Sequence, residues 1–173
     1  KKKKTLNKKK KSNKILLNLY KKLNFPNSYF VHRDFHVQNL MQVGNKVGIL
    51  DSQDALIGNP TYDLVSIVDD VRINTSKKLK NEIYNYYLKK KSKVFRKNSV
   101  KFLEDFEILS VQRSLKIIGI FSRLFVRDKK KQYLKLIPYT WKLLEMRMSS
   151  KIFSELRILL NNNIKNKFKN YFL

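Results

Sequence analysis

Apolar residues recur at helical spacing over Ile15, Leu16, Leu19, Tyr20 and Leu23, with Ser12 or Asn13 as N-cap and Pro26 as the stop. The rhythm then shortens. Two brief apolar runs, NLMQV and KVGILD, flank Gly44-Asn45, the signal of a two-residue hairpin. If residue 43 faces 46, paired numbers sum to 89, so Asn39 lies opposite Leu50 and Gln38 opposite Asp51. Helical spacing returns at Leu64, Val65, Ile67, Val68 and Val71 behind Pro60, and in the amphipathic stretch 76–90 with Leu79, Ile83, Tyr86 and Tyr87 on one side. A long apolar helical pattern runs from Val100 to about Val126. Pro138 marks another helix start, and residues 151–172 read as a final amphipathic helix. No internal repeat is visible. The pattern predicts an α+β chain, predominantly α, with one small hairpin.

The stretch VHRDFHVQNLM, residues 31–41, breaks this order. His32, Arg33, Asp34, His36 and Asn39 crowd an apolar frame that a surface loop would not need. The hairpin carries Asn39 and Asp51 to its same end, and Asp34 lies just before that end. His32-x-Asp34-x-x-x-x-Asn39, followed by Asp51 after a hairpin, has the spacing of the catalytic loop of kinase-like phosphotransferases. The chemistry suits the residue types. A hard divalent cation on a nucleotide wants oxygen ligands, and Asn39 and Asp51 offer a neutral and a charged one. Asp34 stands apart and can accept, or orient, the proton of an attacking hydroxyl. An exposed Asp is ionised at neutral pH, and in a loose transition state positioning matters more than basicity.

Composition narrows the partners. The chain has 173 residues, one domain by length, with 42% apolar residues, enough for a core. It has no cysteine, which excludes disulfides, thiolate zinc sites and cysteine nucleophiles and fits a reducing, cytoplasmic setting. No apolar run is long enough for a transmembrane helix or a signal peptide. The net charge of +26 raises nucleic acid as a partner. Lysine far outnumbers arginine, however, and the charge is uneven. Residues 1–24 hold eleven lysines and no acid, and residues 1–12 read as a basic, disordered or frayed segment. Residues 31–72 hold six aspartates against three basic residues. The motif is thus an acidic island, which argues against nucleic acid. The alternative class is a non-catalytic basic module that binds nucleic acid or a protein partner.

VHRDFHVQNLM, together with GILDSQDALIGNPTYDLVSIVDDVR and the downstream QRSLKIIGIFSRLFVRDKKKQYLKLIPYTWKLL, resembles the aminoglycoside phosphotransferase superfamily, and within it the bacterial anomeric kinases of N-acetylmuramate and N-acetylglucosamine. The similarity covers roughly residues 29–148. It implies an ATP- and Mg²⁺-dependent kinase of a sugar or other small hydroxyl compound, with Asp34 as catalytic base, Asn39 and Asp51 on Mg²⁺, and Asp63 as an anchor of the catalytic loop. His32 and Arg33 read as structural support, the latter through an ion pair. His36 and Asp54 are possible substrate-side residues. Asp69 and Asp70 read as a solvated helix face, and Arg113, Arg123 and Arg127 as candidates for an acidic substrate group. Gln53 stands where protein kinases carry the Gly of D-F-G, and Phe35-His36 replaces their usual Leu-Lys, which points to a small-molecule kinase. Ser52 stands where the sugar-kinase branch has Phe. The four glycines form no G-x-G-x-x-G, and the strand Lys and its partner Glu have no home here. The expectation is therefore a kinase-like C-terminal lobe over residues 13–173, without its N-terminal nucleotide lobe and inactive alone. The start on Lys1 rather than Met fits a fragment or processed form.

Overall fold

A computed structural model describes residues 2–91 and 93–165. By internal contacts the chain divides into two compact units. One is residues 24–110; the other joins the residues up to 23 with those from 111 onward.

The first of these units carries all four strands. Strand β1 (Tyr29–Val31) pairs antiparallel with β4 (Leu56–Gly58), and β2 (Leu40–Val43) with β3 (Lys46–Ile49). In the β2–β3 hairpin Val43 pairs with Lys46 and Leu40 with Ile49, so paired numbers sum to 89 as the sequence predicts. Gly44, first residue of the turn, has φ of 56°, a conformation that glycine adopts without strain. At Gly58 the constraint is space, since a Cβ there would lie 3.1 Å from side-chain atoms of Val31 and Leu56. Helix α2 (Tyr62–Val68) follows β4, then α3 (Lys77–Lys90), α4 (Lys93–Lys97) and the start of α5 (Ser99–Asp128). Ser76 caps α3 by accepting from the Leu79 amide.

Val31, Leu64, Val65, Val68, Phe102 and Phe106 form the core of this unit. Phe25, Phe95 and Phe102 meet mainly edge to face, with centroids 5.0–5.8 Å apart. Asp105 is fully buried beside them. Its carboxylate accepts from the Asn24 and Phe25 amides (2.7 and 3.0 Å) and from the side-chain amides of Asn24 and Asn59 (3.0 and 2.9 Å).

In the other unit α1 (Lys2–Tyr20) supplies Ile15 and Leu19 to a core with Phe121, Trp141, Leu144 and Leu156. Helix α1 thus begins well before Ser12, because lysine is a good helix former and continues the apolar segment's helix toward the N-terminus. Helix α5 runs without a break through Gly119. Pro138 sits in the first turn of α6 (Ile137–Arg147), where its missing N–H is no loss. Within the described residues the predicted terminal helix is divided into a 3₁₀ turn at Lys151–Phe153, α7 (Ser154–Leu160) and a π-turn at Asn161–Lys165. The rest of the 151–172 stretch lies outside the described residues. The Arg157 guanidinium donates to the carbonyls of Met148, Ser149 and Ser150 just past the end of α6.

Candidate active site

The segment 32–39 has no strand partner, so its backbone groups need other acceptors. It folds on itself. The Asp34 carbonyl accepts from the His36 amide (2.9 Å) and from Asn39 Nδ2 (3.0 Å), and the His36 carbonyl accepts from the Asn39 amide (2.9 Å). Residues Val37–Asn39 form a 3₁₀ turn that runs into β2. The Asn39 carbonyl accepts from the Leu50 amide (2.9 Å), which extends the hairpin register by one step, to the residue before Asp51.

Two residues here hold strained backbones: Arg33 with φ of 74° and Asp51 with φ of 65°. The left-handed region disfavours ordinary side chains by about 1 kcal/mol, so surrounding bonds must fix such residues. Arg33 is fixed from two directions. Its amide donates to Asp63 Oδ1 (3.0 Å), and its guanidinium donates to the Asp54 carbonyl (3.2 Å). Its partner is therefore a backbone oxygen rather than the carboxylate an ion pair would need, and the bond joins the loop to the 3₁₀ turn Ser52–Asp54. The amide of His32 donates to the other Asp63 oxygen (2.7 Å). Tyr87 donates to the Pro60 carbonyl at 3.1 Å. Burial pushes its phenol up to about 12, with the negative charge of Asp63 and the nearby Tyr29 adding to the effect.

The predicted residues thus fall into two groups. Asp34, Asn39 and Asp51 belong to one loop-and-hairpin element, and neither the Asp34 nor the Asp51 carboxylate accepts a hydrogen bond from the described residues. Asp54 is exposed at the end of its turn. His32 and His36 are buried instead, 3% and 6% exposed, and the His32 ring packs edge to face on Phe35. On α5, Arg113 is buried, Arg123 is exposed, and Arg127 forms a two-pronged pair with Asp128 at 2.6 and 2.8 Å.

Asp69 and Asp70 correct the reading of a solvated helix face, for both are buried. Helix α2 ends at Val68, and the chain turns inward there. Asp69 accepts from Ser110 Oγ (2.7 Å) and from Lys80 Nζ (3.1 Å), and that ammonium also reaches the Val68 carbonyl. Asp70 accepts from the amides of Val37 (3.3 Å) and Arg72 (3.0 Å). A signal was present: Val68 and Val71 flank the acid pair, and Lys80 sits three, four and seven residues before Ile83, Tyr84 and Tyr87 on one helix face. An acid framed by valines and a lysine on an apolar stripe are both partnered groups in a core.

The donor set fits a magnesium ion carried by a nucleotide. Donating Nδ2 to the Asp34 carbonyl leaves Asn39 Oδ1 as the end available to a cation, and the Asp51 carboxylate adds a charged oxygen. Among the described residues no group of three or more His, Asp or Glu side chains could hold a metal ion by itself. Two protein oxygens with phosphates and waters is the usual way Mg²⁺ is held. A cleft of ≈790 Å³ lies beside the loop, lined by Tyr29, Phe30, His32, Phe35 and Tyr87 among others, but not by Asp34, Asn39 or Asp51. Met41, Val43, Val47 and Ile49 leave the hairpin's apolar residues exposed. No helix among the described residues is long and apolar enough to cross a membrane.

The chain is similar to the N-acetylmuramate/N-acetylglucosamine kinases of Neisseria meningitidis serogroup B (40% identical over 112 residues, 63% of this chain and 34% of the relative), Caulobacter vibrioides (32% over 133 residues, 74% and 36%) and Pseudomonas aeruginosa (37% over 119 residues, 67% and 35%). The chain spans about a third of the length of these curated relatives. Residues 15–97, which include the loop, the hairpin, Asp63 and Asp70, match the phosphotransferase enzyme family.

Proposed function

We propose that the chain is the catalytic-loop lobe of an ATP- and Mg²⁺-dependent phosphotransferase that acts on a hydroxyl of a sugar, specifically the anomeric hydroxyl of an amino sugar in cytoplasmic recycling of cell-wall material. The observation that carries this reading is the hairpin register, which brings Asn39 and Asp51 together while the Asp34 carboxylate stays unengaged. Asn39 Oδ1 and the Asp51 carboxylate hold the metal. Asp34 accepts or orients the proton of the sugar hydroxyl. When bound, Mg²⁺ neutralises charge on the β- and γ-phosphates. His32, Arg33 and Asp63 keep the loop in shape, so that the reacting groups meet at a fixed distance. Asp54 flanks the loop on the substrate side, and His36 packs within the loop.

The sequence has no nucleotide-covering glycine loop, so the reading assigns that task to a nucleotide lobe outside these residues and takes this segment alone as inactive. The exposed apolar residues of the hairpin form the face that such a lobe covers. The names of the relatives direct the choice of an amino sugar. The test is ADP formation by the full-length protein with ATP, N-acetylmuramate or N-acetylglucosamine, and either Mg²⁺ or EDTA. Turnover that needs both sugar and metal is expected. Turnover with neither sugar under any metal condition would overturn the reading.

A further inference from the structure

Asp63 explains how the loop begins: its two oxygens take the amides of His32 and Arg33. The far end of the loop is held by a second carboxylate seven residues later. Asp70 is 1% exposed. One oxygen accepts from the Val37 amide at 3.3 Å, and the other accepts from the Arg72 amide at 3.0 Å, with the Arg72 guanidinium at 3.5 Å. Val37 is the first residue of the 3₁₀ turn whose last residue is Asn39.

The geometry points to Asp70 as a positioning residue for the metal ligand Asn39, an inference that rests on the phosphotransferase reading above. Each Asp70 oxygen faces a backbone N–H. Only a carboxylate accepts on both sides; an amide would turn an NH₂ toward one of the two donors. The acceptor is buried and the bonds are charge-assisted and part-buried, which limits competition from water. The Asn39 amide bonds back to His36 and its Nδ2 to Asp34, so the whole turn moves as one piece. Asp63 fixes the end near Asp34, and Asp70 fixes the end that leads to Asn39. Release of Val37 therefore loosens the turn that carries Asn39, while the amides of His32 and Arg33 stay held by Asp63.

The test uses Asp70→Asn in the full-length protein, with Val37→Pro as a second variant. The proline deletes the N–H donor and leaves Asp70 in place. The preceding residue His36 is already extended (φ −131°, ψ 165°), the conformation required before proline. Both variants are expected to raise the Mg²⁺ concentration for half-maximal turnover by about tenfold, the scale of lost support behind a metal ligand. The KM for sugar should stay within about twofold, and excess Mg²⁺ should restore most of kcat. If Asp70→Asn does not fold, Val37→Pro decides. In the full-length protein, amide exchange at Val37 should quicken in Asp70→Asn while His32 and Arg33, held by Asp63, keep their rates. Faster exchange at Val37 with an unchanged Mg²⁺ dependence would make Asp70 merely structural and overturn the inference. A wild-type protein without metal-dependent turnover would instead overturn the phosphotransferase reading, and the positioning role with it.

Discussion

Aspartates serve two opposite purposes in residues 24–110. Asp63, Asp69, Asp70 and Asp105 each accept at least two hydrogen bonds from buried or partly buried donors, most of them backbone amides. Asp34 and Asp51 accept none among the described residues, although the backbone around them is tightly bonded. The difference is one of free energy. A buried carboxylate that accepts two or more hydrogen bonds stabilises the fold and is shielded from a substrate or a cation. A carboxylate left open on a rigid backbone contributes little to stability and keeps its charge for a cation or a proton. Asp63 and Asp70 hold the loop, Asp69 and Asp105 hold the surrounding core, and in the proposed reading the open pair does the chemistry.

The contrast can be broken most severely at Asp105. Asp105→Ala removes the acceptor of the Asn24 and Phe25 amides and one of the acceptors of the Asn24 and Asn59 side-chain amides, and at about 1–3 kcal/mol for each unsatisfied group the loss should be about 4 kcal/mol. Urea unfolding should show a much lower midpoint, or no folded baseline. Lys80→Met comes next, because it leaves Asp69 with its charge and without its cation; about 3 kcal/mol should be lost. Adding Asp69→Leu to that variant should recover much of the loss, and failure to recover would mean that the pair has a role beyond mutual compensation.

A smaller effect is expected from pH. The folded-state pKa of Tyr87 is raised from 10.0 to about 12, so the folded protein keeps a proton that the unfolded chain releases. Stability is therefore full below pH 10 and falls between pH 10 and about 12. The urea midpoint should drop across that window, and Tyr87→Phe should flatten the drop. The smallest effect on stability belongs to the open group. Asp51 is exposed in a left-handed conformation that Asn tolerates well, so Asp51→Asn should change the unfolding free energy by less than about 0.5 kcal/mol. A large loss there would erase the distinction between the two sets of aspartates.

The open group was legible in the sequence and the buried group mostly was not. Asp34, Asn39 and Asp51 announce themselves by spacing, and the Gly44-Asn45 turn allowed the register to be written down residue by residue because a hairpin is a local structure. Helices α3 and α5 follow from periodicity, and α6 from Pro138 at its start. Strands β1 and β4 are three residues each and pair across more than twenty intervening residues, too short for alternation to register. Asp69 and Asp70 looked solvated because their partners, Lys80, Ser110 and the Val37 amide, are distant in sequence. The same holds for Asp105, whose donors sit near residues 24 and 59. Acidity was readable, but commitment to a backbone amide is a tertiary fact.

The most direct test of the account is the turnover of Asp34→Asn in the full-length protein at saturating Mg²⁺, ATP and amino sugar. The account predicts a fall in kcat of about 10²–10⁴-fold, the range for loss of a positioned general base, with nucleotide affinity and unfolding midpoint unchanged. A kcat equal to that of the wild type would contradict it.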